Sequence, residues 1–468
     1  MVGVATRRTL AKWTCLGLTA AFTLPCAARA NGLLDAYRAA VANDASLAAA
    51  REARDAAIET HPQARAALLP QLDVAASARR EHDVLEAAAA DPSGGRPPAS
   101  DVGVDATVTS YGARLRQTLW DVEAFQRLCQ SDLEVAAAEA QYRDAEQALI
   151  LRVATRYFAV LAAADTLSAN RGERDAYGAL VEQARKRFET GLGARIAVEE
   201  AQSFHSLTEQ SVIDGELALS DAFRALVEIT TQPGAPVAPL AETIALAPPD
   251  PPAAEPWLGA ARAENFAVAA ADLAMQAAER NAAAVRGRYW PVVALEGGVT
   301  QQHLPLDLGG DERVESVGVA LAWPLFEGGR VASQAREADA RFRQARADLD
   351  ARRRAVERDT LAAFRAVIGG IHRIEANRRA VDANRTAVEA SRNGVEVGTR
   401  TEFDLLNAQN NYYAALRAYL QSRYEYLTQS LTLRAQAGRL GEDDLATIDA
   451  QLVAGGPSVM DALPAELR

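Results

Sequence analysis

Cysteine, histidine and methionine are nearly absent from this chain, with three, five and three copies in 468 residues. Cys15 and Cys26 lie in the first thirty residues, which leaves Cys129 alone in the remainder, so no disulfide framework is available. His61, His82, His205, His303 and His372 are scattered without a His-x-x-x-His pair, and nothing suggests a zinc hydrolase. No Gly-Lys-Ser/Thr phosphate loop occurs, and Gly191-x-Gly193 lacks the third glycine and preceding strand that a dinucleotide site needs. No nucleophile, base and orienting group cluster, so neither an enzyme nor a cofactor is expected. Aromatic residues make up only 6%, and alanine spread among charges carries most of the apolar content, which disfavours a large α/β core and suits long helices in narrow layers.

Basic residues are also short, 50 against 62 acidic. Arg7, Arg8 and Lys12, then the apolar run Trp13 to Ala27, then Ala28-Arg29-Ala30, read as a secretory signal peptide over 1–30. Its removal takes away four basic and no acidic side chains, moving the formal charge from −12 to −16, so nucleic acid is an improbable partner. A lipid anchor on Cys26 is the competing reading, although Leu24-Pro25 is a poor lead-in. After Ala30 no run of about 18 apolar residues is found, so membrane insertion would have to use strands.

What is present is a duplication. Residues 232–256 hold eight of the 19 prolines and read as a linker between two similar stretches, 31–231 and 257–450. In the first, the helical segment 33–66 leads into Leu68-Leu69-Pro70-Gln71-Leu72; in the second, 258–288 leads into Tyr289-Trp290-Pro291-Val292-Val293. Each then alternates as a strand hairpin. One spans about 70–119 around the Asp91-Pro92-Ser93-Gly94-Gly95 turn, and the other about 291–325 around Gly309-Gly310-Asp311. Each hairpin is followed by a helical arm, 120–191 and 326–398, and a return helix. Heptad spacing places Val153, Val160, Leu167, Arg174, Val181 and Phe188 on one face of the first arm, and Val367, Ile374, Val381, Val388 and Val395 on one face of the second. Such thin seams fit a helical layer wrapped round water better than a solid bundle. Residues 451–468 show no strong pattern and read as a partly disordered C-terminal tail.

Four strands cannot close a barrel, and an open edge is not tolerated in lipid, so several copies must contribute strands; three would supply twelve. A homotrimer is expected.

The signal peptide, the twin hairpins, Trp323-Pro324-Leu325-Phe326-Glu327-Gly328-Gly329, Val397-Gly398-Thr399-Arg400-Thr401 with Asp404-Leu405-Leu406, and Ser422-Arg423-Tyr424-Glu425-Tyr426 together resemble the TolC family of outer-membrane channels. The resemblance covers essentially the whole chain after residue 30. It implies a mainly α fold with a β-barrel portion: a trimeric 12-stranded transmembrane β-barrel continued by a long periplasmic α-helical barrel and an equatorial belt. The implied location is the outer membrane of a Gram-negative bacterium. The implied partners are outer-membrane lipid, a periplasmic adaptor, and an inner-membrane ABC transporter or other pump.

The resemblance also assigns residues. Adaptor hairpins would dock at the arm tips, here Gly191, Leu192, Val397, Gly398 and Thr399; both glycines are equally readable as plain helix C-caps. Arg400 matches the arginine of the ionic latch that closes the periplasmic entrance. Its usual carboxylate partner falls on Ala197, and Ile196 and Val395 replace polar members, so Glu199, Glu200 and Glu402 are the carboxylates left to pair with it. The pore constriction maps to Asp404 and Asn407, which implies one ring of carboxylates rather than two; a solvated surface aspartate is the alternative. The stretch Arg341 to Arg358 alternates in sign and reads as a solvated helix face, while Tyr412, Tyr413, Tyr419, Tyr424 and Tyr426 read as packing in the belt.

The functional expectation is the exit duct of a tripartite export system. The string from Val397 to Gln409 resembles type I protein secretion members more than lipid-anchored efflux members. Small-molecule efflux is the alternative. A periplasmic adaptor, which needs neither two strand hairpins nor a duplication, is the remote one.

Overall fold

A computed structural model describes residues 32–86, 101–233, 235–303, 310–453 and 458–464, with side chains from 81–86 and 101–106 left aside. The signal peptide and both hairpin turns as read from the sequence, apart from Gly310 and Asp311, lie outside the described residues.

The two halves repeat each other closely. In the first, α1 (Leu33–Asn43), α2 (Ala45–Ile58) and α3 (Thr60–Ala66) lead into β1 (Gln71–Glu86) and β2 (Asp101–Trp120), then α4 (Val122–Glu189) and α5 (Arg195–Thr230). In the second, α6 (Ala254–Glu264) and α7 (Phe266–Gly287) lead into β3 (Val292–His303) and β4 (Asp311–Ala322), then α8 (Arg330–Glu396) and α9 (Glu402–Gln436), with α10 (Glu442–Asp449) and a short 3-10 turn (Val459–Ala462) after the repeat. The helical segment before each hairpin is broken by an N-cap, where Asp44 accepts from Leu47 N and Asn265 accepts from Val268 N; the first has a second break at Glu59, with no side-chain cap. The proline-rich segment ends earlier than its composition suggests, because Pro256 sits in the first turn of α6, where its missing N–H costs nothing.

The long helices α4 and α8 have 68 and 67 residues, each roughly 100 Å at about 1.5 Å per residue. Most of their heptad positions are buried, Val388 only half so. Val153, Val160, Leu167 and Val181 are buried in α4, as are Val367, Ile374, Val381 and Val395 in α8. Arg174 instead pairs with Asp175, and Phe188, the last residue but one of the helix, is exposed. One expectation is corrected: α4 does contain an 18-residue stretch apolar enough, by length and composition, to cross a bilayer. Half of that stretch is buried within the chain.

The main core, at the place expected for the equatorial belt, lies where α1, α4, α5, α8, α9, α10 and the linker meet around Tyr157, Phe158, Leu219 and Leu431. Two tyrosines pin the linker. The Tyr157 hydroxyl donates to Ala238 O and accepts from Ala238 N, each at 3.1 Å; the Tyr426 hydroxyl does the same with Ala247, at 2.9 and 3.0 Å. The segment after residue 450 is ordered where described. Leu452 bridges to Leu240, Val459 N donates to Val237 O, and Met460 and Leu463 are buried in the core. Burial of two apolar side chains on the linker, rather than sequence pattern, holds this tail.

Candidate channel surfaces and gate

The four strands form one antiparallel sheet in the order β1-β2-β3-β4. Register puts Leu72 opposite Leu115, Gly297 opposite Val317 and Leu295 opposite Val319, so Leu72, Val74, Leu115, Leu295, Val317, Val319 and Leu321 share one face. The other face carries Asp73, Ser77, Ser110, Arg114, Arg116, Glu296 and Ser316. On it the Ser77 and Ser110 hydroxyls lie 2.9 Å apart, and Arg116 pairs with Glu296 at 3.7 Å. A depression of about 660 Å³ lined by Asp73, Ser77, Arg114, Glu296 and Ser316 lies on this polar face. An apolar outside and a polar hollow are the two surfaces of a membrane barrel. Among the described residues, β1 and β4 each keep one edge unpaired within the chain.

The helices continue the same arrangement. Toward the sheet the lateral order is α2 with α3, then α4, α7 and α8; toward the far end it is α5, α4, α9, α8. Among the described residues one chain is therefore an open layer, edged by β1, α2, α3 and α5 on one side and by β4 and α8 on the other.

At the far end both arms finish alike. Gly191 and Gly398 each have φ of +77°, where an L side chain is strained. Gly191 N donates to Phe188 O and Leu192 N to Arg187 O; Gly398 N donates to Val395 O and Thr399 N to Gly394 O. Both are Schellman caps, and they leave Leu192 and Val397 among the most exposed apolar side chains of the chain.

Asp404 is the third residue of α9 and closes a capping box. Its Oδ2 accepts from Thr401 N at 2.9 Å and Thr401 Oγ1 at 2.7 Å, while Thr401 Oγ1 accepts from Asp404 N at 3.1 Å. The Thr401 backbone and hydroxyl donors, with Arg400 nearby, hold the carboxyl below its usual range, so it stays ionised. Asn407 lies one turn on, on the same side of the helix and half-buried.

The latch set differs from expectation within one chain. Arg400 folds back over Gly394, whose missing side chain makes the room, and its Nη1 donates to Ser391 Oγ at 3.1 Å. Glu402 faces Arg187 at 3.4 Å and Glu199 faces Arg195 at 3.5 Å, so neither is paired with Arg400; nor is Glu200. Sequence reasoning also missed Arg187, because its partner lies in the other half of the chain. Two further ion pairs tie the two coils farther from the tips. Arg417 Nη1 meets Glu173 Oε2 at 2.5 Å, and Arg423 Nη2 meets Asp165 Oδ2 at 2.8 Å.

The outer membrane efflux protein family model matches residues 36–232 and 257–439, one match for each half. The chain belongs to this family, that of TolC. Outer membrane protein TolC of Vibrio cholerae is 31% identical over 444 residues, spanning 92% of this chain and 96% of that protein. The alkaline protease secretion protein AprF of Pseudomonas aeruginosa is 30% identical over 437 residues, 91% of this chain and 88% of AprF. Among solved structures, the CmeC outer membrane channel of Campylobacter jejuni superposes with a TM-score of 0.76 at 15% identity, covering 93% of this chain and 90% of CmeC. The chain is thus an outer-membrane channel with a large periplasmic helical part, not an enzyme. TolC-like channels are homotrimers that work with periplasmic adaptors and inner-membrane pumps.

Proposed function

We propose that three copies of this chain form the exit duct of a tripartite export system, taking protein from an inner-membrane ABC transporter and periplasmic adaptor across the outer membrane. The observation that carries the duct is the open-edged layer. A strand sheet with a polar hollow is followed in each half by a helix roughly 100 Å long, and among the described residues both edges of the layer are unpaired within the chain. Protein cargo is supported by the likeness to AprF, whose name is that of a protease secretion protein.

In the closed ring three Asp404 carboxylates, with Asn407 a turn away, form the narrow cation-attracting point of the entrance. Arg400 and Glu199, Glu200 and Glu402 belong to the latch that holds it shut. Gly191, Leu192, Val397, Gly398 and Thr399 form the tips on which the adaptor docks, their exposed apolar side chains supplying the contact.

Small-molecule efflux is the second reading, favoured by the family description itself. Secretome and drug-sensitivity profiles of a deletion strain, each with complementation, separate the two. Loss of a large secreted protein with unchanged drug tolerance is the expected result. Hypersensitivity with an intact secretome overturns protein export in favour of efflux.

A further inference from the structure

The outward face of α8 carries two heptad-spaced rows directly opposite its buried seam. One is Arg365, His372 and Arg379; on one side of it run Gly369, Ala376 and Ala383, and on the other Glu375 and Asp382. All of them are exposed in the single chain. The outward face of α5 carries an acidic row at the same spacing, Asp214, Asp221 and Glu228, flanked by the exposed Leu207, Leu217 and Arg224. Among the described residues none of these charged or ionisable side chains, basic row or acidic, has an ion-pair or hydrogen-bond partner. Nearby on α8 itself, Arg358 pairs with Asp359 and Arg373 with Glu425.

The two rows also match in height. At about 1.5 Å per residue, Arg379 stands roughly 25 Å above Glu396, the end of α8, with His372 and Arg365 one and two heptads higher. On the same scale Asp214 stands roughly 28 Å above Arg195, the start of α5, with Asp221 and Glu228 one and two heptads higher. The two tips are tied in height by Arg417, which reaches Glu173 and Asn170. Arg417 stands roughly 22 Å above the start of α9, whereas Glu173 stands roughly 24 Å and Asn170 roughly 28 Å above the end of α4. The second tip therefore sits slightly higher than the first, which brings the two rows level to within about one helical turn.

These rows cannot meet inside one chain, because α4 and α9 stand between α5 and α8, and helix axes are spaced about 8 to 10 Å apart. They lie on the two opposite edges of the layer, in line with the open strands β1 and β4. We infer that they meet between copies: α8 of one copy lies against α5 of the next, with Arg379 facing Asp214, His372 facing Asp221 and Arg365 facing Glu228. Leu207 and Leu217 fill the space left by the small residues. The occupant of this face is a second copy of the chain, selected by opposite charge and by continuity with the unpaired strand edges. A ladder of three rungs at one heptad spacing fixes the vertical register between subunits, which an Ala-rich contact alone would leave free to slide.

This assignment rests on the homotrimer proposed above, so the assembly state is measured first by light scattering of the detergent-solubilised full chain. In a Cys129→Ser background, the pair Asp214→Cys with Arg379→Cys is treated with oxidant and run on non-reducing gels. Covalent dimers and trimers are expected. The out-of-register pair Asp214→Cys with Arg365→Cys, displaced by two heptads, should give none. Trimers that fail to cross-link through the first pair, or that cross-link equally through both, overturn the seam; a chain that is not trimeric overturns the assembly itself. Independently, Arg365→Glu should lower the temperature at which the trimer dissociates, and adding Glu228→Arg should restore it. Equal stability of all three proteins also overturns the pairing.

Discussion

At the scale of single residues, the entrance depends on groups whose first job is to end or begin a helix. Asp404 caps α9 and is proposed to ring the pore, and one property serves both: donors from Thr401 keep the carboxylate charged. Because its folded pKa is depressed, the cap is fully present above the ordinary carboxylate range and is lost only as pH falls through the lowered value. Cation preference in planar bilayers should therefore persist through mildly acid pH. Asp404→Ala should reduce it at neutral pH, and an unchanged preference would exclude Asp404 from the constriction. Gly398 is the second such residue. Replacing it by leucine forces an L side chain into φ of +77°, a strain of about 1 to 2 kcal/mol confined to the tip. Trimers of Gly398→Leu should form normally and lose co-purification with the adaptor; normal co-purification would remove the tip assignment.

At the scale of elements, the belt is where buried charge fastens one coil to the other. Arg423 is buried, donating to Asp165 and to the carbonyls of Ala241 and Glu242, while Tyr424 donates to the same carboxylate at 2.6 Å. Burial and the Asp165 charge together push the Tyr424 hydroxyl up, so it remains a donor at any working pH. Asp165→Ala leaves Arg423 buried without its counter-charge, a loss of about 3 kcal/mol that should appear as a clear drop in Tm. Asp55→Ala, at an exposed pair with Arg54, should barely move it. Truncation after residue 457 removes the burial of Met460 and Leu463, about 2 kcal/mol each, and should lower Tm without abolishing assembly.

At the scale of the whole molecule, one chain is an incomplete object. Among the described residues its sheet has two open edges, its helical layer has two open sides, and its apolar strand face has no partner within the chain. Nothing about α4 or α8 alone would keep a helix of roughly 100 Å straight in water; lateral neighbours must do so. The purified chain in detergent is accordingly expected to have the mass of three copies by light scattering. A monodisperse monomer of the wild-type chain would contradict the duct.

Much of this was legible in the sequence, because repeats and periodicities are local. The two hairpins, the paired arms and the heptad seams follow from where Val153, Leu167, Val367 and Ile374 fall, and from the alternation of Val317, Val319 and Leu321. Gly191 and Gly398 announced their turns because only glycine takes that conformation readily. What only the tertiary structure decided are the pairings across long sequence separations: Arg187 with Glu402, Arg417 with Glu173, Arg423 with Asp165, and the tail laid on the linker. Arg400 shows the limit most plainly. Its chemistry invited a carboxylate partner, yet the chain folds it over Gly394 onto Ser391, because a charged side chain takes whatever acceptor the backbone brings within reach. Hydrophobic period is written along the chain; the partner of a charge is set by which helices come to lie side by side.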